Sequence, residues 1–154
     1  MIDILDDRFL ARSRQQHITP TDLLTVAAAL IQLAAEARRS AQLAAIAEVA
    51  LGHVPAHVAD AVPAEAFDGP AMLLAWVCAC RAARALGPRV SFRAVHAVLR
   101  SVPLDRGLPP GVAEELQDEA AEELDEAEWW PVRRGTVEAM LEEHGMTVAM
   151  SEVT

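Results

Sequence analysis

The sequence predicts an all-α fold, a compact single-domain bundle of six to seven helices, on three observations. Alanine supplies 31 of the 154 residues, and alanine is the strongest helix former. Glycines and prolines fall between the long apolar stretches rather than within them, where helices stop. No stretch before residue 146 shows the strict alternation that marks a half-buried strand. With 53% hydrophobic and 23% charged residues, a chain of this length buries one substantial core and is too apolar for a disordered tail. It contains no internal repeat, low-complexity segment or inter-domain linker.

Residues 2–15 read as a short first helix, with Ile2, Leu5, Phe9 and Leu10 on its apolar side. Thr19-Pro20-Thr21-Asp22 is a start signal, Thr19 serving as N-cap and Pro20 taking the first helical position. From there to Leu51 the chain is nearly all Ala, Leu, Ile and Val. The pattern fits one long helix, or two broken near Arg38-Arg39-Ser40, closed by Gly52. Pro55, Pro63 and Pro70 make residues 53–70 an irregular connector with at most one short turn.

Residues 71–86 form a helix apolar nearly all round, hence a central, buried element ended by Gly87-Pro88. Ser91 caps a helix to about Ser101, with Phe92, Val95, Val98, Leu99 and Val102 on one face before Pro103. Pro109-Pro110 opens a long acidic helix (110–128), terminated by Pro131. A final helix runs from about Arg133 to His144, with Gly145 just past its end. The tail 146–154 begins Met-Thr-Val-Ala-Met, an alternation expected of an extended segment.

Composition excludes some chemistry. The chain has no Lys, Asn or Tyr, and all 13 of its basic residues are Arg. Such a bias toward G/C-rich codons points to a GC-rich bacterial genome. Schiff-base and P-loop lysine chemistry are impossible, so phosphate recognition would need Arg or helix N-termini. The start, Met-Ile-Asp-Ile-Leu-Asp-Asp, lacks the basic region of a secretory signal. The longest apolar run, Ala71 to Cys80, is half of what a membrane span needs. Cys78 and Cys80 sit two apart on one helix, pointing to nearly opposite faces, so they cannot bridge each other. A cytoplasmic, membrane-free protein is expected.

Charge is unevenly distributed. Nine carboxylates lie between Glu114 and Glu128 with no Arg among them, whereas residues 81–106 hold six Arg against Asp105. Most of the net charge of −10 therefore sits on one helix. Five i,i+4 pairs there are like-charged, Glu115–Glu119 and Glu119–Glu123 among them. At roughly 0.2–0.5 kcal/mol each, their repulsion costs about 1–2.5 kcal/mol before screening.

Such a helix lies against the Arg-rich segment of its own chain or of a second copy, keeps the protein soluble, or docks a cationic partner. The docking face would comprise Glu115, Asp118, Glu119, Glu122, Glu123 and Glu126, with Trp129 and Trp130 as aromatic anchors. Adjacent tryptophans cannot both bury on one helix face, so one closes the core and the other is available to a partner. A protein partner or a homo-oligomer is expected, through a non-catalytic interaction, accessory or inhibitor-type role. The basic segment is too isolated in an acidic chain for nucleic acid.

The rival expectation is a small-molecule-binding protein or compact enzyme, with its pocket between helices 71–86 and 91–101. If those helices pack antiparallel, Trp76, Cys80, Arg84 and His96 converge. His96 would be acid or base, Arg84 or Arg93 an anion clamp and Trp76 a wall. His53 and His57 have the i,i+4 spacing of a metal pair, but Pro55 separates them and no H-E-x-x-H pattern is present. No nucleotide-binding, nucleophile-elbow, paired C-x-x-C or di-iron motif occurs. No cofactor and no metal are expected.

Overall fold

The computed structural model describes residues 19–87, 90–104 and 107–148. The expected first helix over 2–15 lies outside them, as do Arg89, Asp105, Arg106 and the tail beyond 148. Among the described residues the fold is all-α, with six helices and no strand: α1 (Pro20–Ala50), α2 (Ala56–Asp60), α3 (Gly69–Leu86), α4 (Phe92–Ser101), α5 (Val112–Trp129) and α6 (Thr136–Glu143). Residue contacts divide the chain into two units, Met1–Arg39 and Ser40–Thr154.

In the first unit, α1 starts where the sequence places it. The Asp22 N–H donates to Thr19 Oγ1 (3.1 Å) and the Thr19 N–H donates to Asp22 Oδ2 (3.1 Å), a reciprocal cap that satisfies the first orphan donors. The helix does not break at Arg38-Arg39-Ser40, since neither Gly nor Pro interrupts 21–51. Leu23, Leu24, Leu30, Ile31 and Leu33 are all exposed on this stretch.

In the second unit the same helix is enclosed. Every residue from Gln42 to Ala50 is buried, so neighbours surround all its faces. The helix closes on Gly52, whose φ of 74° is left-handed, and the His53 N–H returns to the Glu48 carbonyl (3.0 Å).

The connector after it is more ordered than its three prolines imply. It holds the five-residue α2 and a 3₁₀ turn at Ala64–Ala66. Each follows a proline in extended geometry, Pro55 and Pro63, whose missing N–H costs nothing at a helix start.

α3 packs against α2, α4 and α5, which makes it the central apolar helix anticipated from 71–86. Its buried face comprises Ala71, Met72, Ala75, Trp76, Cys78, Ala79 and Ala82. Small residues at that spacing let neighbouring helices approach closely, while Trp76 stacks on Phe67 with centroids 4.8 Å apart.

α4 is capped as expected, Ser91 Oγ accepting from the Ala94 N–H (3.2 Å). Phe92, Val95 and Leu99 are buried along it. α5 begins at Val112 rather than at the prolines, and α6 at Thr136 rather than Arg133, because Gly111 and Gly135 take left-handed conformations immediately before them. Residues 146–148, the described part of the tail, are in no helix or strand. No described helix is long and apolar enough to cross a membrane.

Candidate functional site: an acidic helix face and a cleft between α2 and α3

α5 divides its carboxylates between two directions. Asp118 and Asp125 meet α4, where Arg100 Nη1 lies 3.1 Å from Asp118 Oδ1 and His96 Nε2 lies 3.0 Å from Asp125 Oδ1. Docking of the acidic helix on the Arg-rich segment is thus real at Arg100. The Gln117 side chain, also on α5, donates to the carbonyls of Leu99 (3.2 Å) and Val102 (3.0 Å). It ties α5 to the C-terminal end of α4, where the Leu99 carbonyl also accepts from the Val102 N–H (3.3 Å). Ala120, Ala121, Leu124 and Ala127 are buried and hold the helix to the core.

Glu115, Glu119, Glu122, Glu126 and Trp129 follow one another at i, i+4, i+7, i+11 and i+14, and all five are exposed. At 3.6 residues per turn they fall within an arc of about 80°. A stripe of four carboxylates therefore runs along one face of α5 and ends on a tryptophan that is 88% exposed. Its neighbour Trp130 is half-buried and packs against the core, the division expected of a tandem pair. Glu123 lies off the stripe and is half-buried.

The pocket expected between 71–86 and 91–101 comes together only in part. Trp76, Cys80 and Arg84 share a face of α3 at i,i+4 spacing, but that face lines cavities with α2 and its flanking loop. The larger, about 490 Å³, is walled by Val49, Val54, Ala59 and Ala83, with His53, Asp60, Cys80 and Arg84 as its polar members. The smaller, about 240 Å³, adds Val62, Trp76 and Arg81.

The two share Ala59, Asp60, Cys80 and Arg84, and Asp60 and Arg84 form an ion pair there. His96 lines neither cavity, being engaged with Asp125, and Arg93 is exposed on α4. The helix periodicity places His96 on the half-apolar side of α4, but it does not say that α5 rather than α3 meets that side.

Two features limit the chemistry of the cleft. Burial first, then the nearby Asp60 carboxylate, pushes the Cys80 thiol up to about 12, and burial pushes Cys78 up to about 11. Both thiols are protonated at neutral pH, so neither is an activated nucleophile. His53 sits in the loop after α1 and exposed His57 on α2, so the i,i+4 pair does not share one helix. Among the described residues no group of three His, Cys, Asp or Glu side chains is placed to hold a metal ion. His53 Nδ1 is buried without a hydrogen bond, a polar group in the cavity lining that the fold itself does not satisfy.

The polar residues that matter most to the architecture escape sequence reasoning. Glu48 is 1% exposed in the last turn of α1. Its Oε1 accepts from the Gly135 N–H (2.9 Å) and its Oε2 from the Val137 N–H (3.1 Å), so it caps α6 from 87 residues away. Gln42 pins the start of α3 in the same way: its Nε2 donates to Asp68 Oδ2 (3.0 Å) and its Oε1 accepts from the Asp68 N–H (2.9 Å). A lone polar residue every six positions in an otherwise apolar stretch is the signal available, and it does not name the partner. No protein-family model, curated protein or solved structure matches the chain.

Proposed function

We propose that the protein is a non-catalytic interaction module that docks an arginine- or lysine-rich protein surface, a second copy of the chain included, on the outer face of α5. The observation that carries this reading is the position of Trp129, exposed at the end of the Glu115–Glu119–Glu122–Glu126 stripe. Burying an indole of this kind removes on the order of 150–250 Å² of largely apolar surface from water. The carboxylates ahead of it match guanidinium forks and steer a cationic partner from a distance set by salt. An aromatic anchor beside complementary charge supplies both affinity and register.

The test is native mass spectrometry of the gently purified protein at low and raised salt, for the parent, Glu119→Arg/Glu122→Arg and Trp129→Ala. The expected result is a protein adduct or dimer that dissociates with salt and is absent from both variants, with helical circular dichroism unchanged. An assembly identical in all three proteins sinks the reading.

A second reading is favoured by the cleft itself: binding of a small molecule against α2 and α3. A cavity of about 490 Å³ falls within the range of ligand sites, and it combines apolar walls with an ion pair and an imidazole nitrogen left without a hydrogen bond. A retained mass of a few hundred daltons that withstands salt would support it.

A further inference from the structure

The cleft has a charge arrangement that selects among ligands, and the inference drawn from it rests on the small-molecule reading above. Asp60 ends α2 and Arg84 lies in the last turn of α3, and their ion pair stands where the two cavities meet. The contact uses one nitrogen, Nη2, and one oxygen, Oδ2. A guanidinium carries five N–H donors and a carboxylate a second oxygen, so both groups retain bonding capacity. The two side chains are 60% and 52% exposed, open to a solute at the mouth. The larger cavity that they line has apolar walls at Val49, Val54, Ala59 and Ala83.

A fixed pair of opposite charges discriminates by sign. A lone anion drawn to Arg84 meets Asp60 beside it, and a lone cation drawn to Asp60 meets Arg84. Attraction and repulsion then act at similar distances and largely cancel. A ligand carrying both charges on adjacent groups escapes the cancellation. Its ammonium donates to Asp60 Oδ1 while its carboxylate accepts from the remaining Arg84 N–H groups, and the protein's own ion pair stays intact. Each added bond is charge-assisted, the stronger class of hydrogen bond. An apolar group on the same carbon would enter the larger cavity.

We propose that the cleft between α2 and α3 is a binding site for a zwitterionic small molecule of the α-amino-acid class with an apolar side chain, held head-first on the Asp60–Arg84 pair. Cys80 and the half-buried His53 ring line the body of the site, and the Cys80 thiol, which burial keeps protonated at neutral pH, adds no charge to disturb the match. Nothing in this assigns a reaction; the site binds.

Isothermal titration of the full chain tests it with four probes: L-phenylalanine, phenethylamine, 3-phenylpropionate and benzyl alcohol. These hold the phenyl ring constant and present both charges, one charge of either sign, or none. L-phenylalanine is expected to bind at least tenfold more tightly than each of the other three, and Asp60→Asn and Arg84→Gln each to weaken it at least tenfold. Both substitutions are at exposed side chains, and circular dichroism should confirm that the variants fold.

Equal binding of benzyl alcohol or of a singly charged probe overturns the zwitterion assignment while leaving the cleft a small-molecule site. Absence of heat from every probe at concentrations up to about 10 mM overturns the assignment and the small-molecule reading together. Unaltered phenylalanine affinity in both variants overturns the site.

Discussion

Removing the Glu48 carboxylate should destabilise the fold strongly, since it is buried and holds the start of α6. Glu48→Ala strips the acceptor from two backbone donors, Gly135 N–H at 2.9 Å and Val137 N–H at 3.1 Å, at the start of α6. Each donor left unpartnered in the interior costs about 1–3 kcal/mol. The carboxylate also faces the positive end of the α6 dipole, an interaction of about 0.3–1 kcal/mol, more where partly buried. With some relaxation of the short α6, a net loss of about 3–5 kcal/mol is expected, against a total stability of order 10 kcal/mol.

For a chain of this size, about 2–4 °C of melting temperature is lost per kcal/mol, so Glu48→Ala should melt roughly 6–20 °C below the parent. Glu48→Gln keeps the shape and one acceptor but turns its amide hydrogens toward the second N–H. It should fall between the two, about 1–3 kcal/mol down. Thermal melts followed by circular dichroism measure all three. A Glu48→Ala variant melting within about 2 °C of the parent, or a Gln variant less stable than the Ala variant, would refute the capping account.

Two further predictions follow from the same structure. Because the chain has neither Lys nor Tyr, Cys78 and Cys80 are the side chains that titrate between about pH 8.5 and 12. Their folded values of about 11 and about 12 lie above the unfolded value of about 8.5. The thiols thus contribute stability that is complete below pH 8.5 and is lost as pH rises through the folded values, roughly 2 kcal/mol per thiol by pH 10. The urea midpoint of the parent should drop between pH 8 and 10, and that drop should shrink in Cys78→Ala/Cys80→Ala; an equal drop in both proteins would contradict it. The tryptophans should separate in the same assay: Trp129→Ala within about 0.5 kcal/mol of the parent, Trp130→Ala lower by about 1.5–3 kcal/mol, and the reverse order would disprove the burial assigned to them.

Most of the architecture was legible in order along the chain, because the rules that set it are local. The Thr19 and Ser91 caps, the end of α1 at Gly52 and the return of the chain at Gly145 are decided within a turn or two of backbone. The same holds for the carboxylate stripe on α5 and for Trp129 at its end, which need only the 100° step between successive helical residues; Trp130 lies past the helix end in extended backbone. Where local reading failed, the cause was also local. Three prolines indicate an irregular connector with at most one short turn, yet Pro55 and Pro63 sit at the starts of two short helical turns, where proline is tolerated.

The class of the fold, the order of its longer described helices and the strongly acidic face are readable along the chain. These follow from periodicity, propensity and capping, which act between near neighbours. Which helix meets which is settled by packing between residues far apart in the chain. That packing turned Trp76, Cys80 and Arg84 toward α2 instead of toward His96, paired His96 with Asp125, and set Glu48 against Gly135 across 87 residues of chain. The alanine-rich helices α1 and α3 present small side chains on several sides, so many packings satisfy the apolar pattern. The choice among them falls to a few buried polar groups, Gln42 and Glu48, whose hydrogen bonds are satisfied in this arrangement.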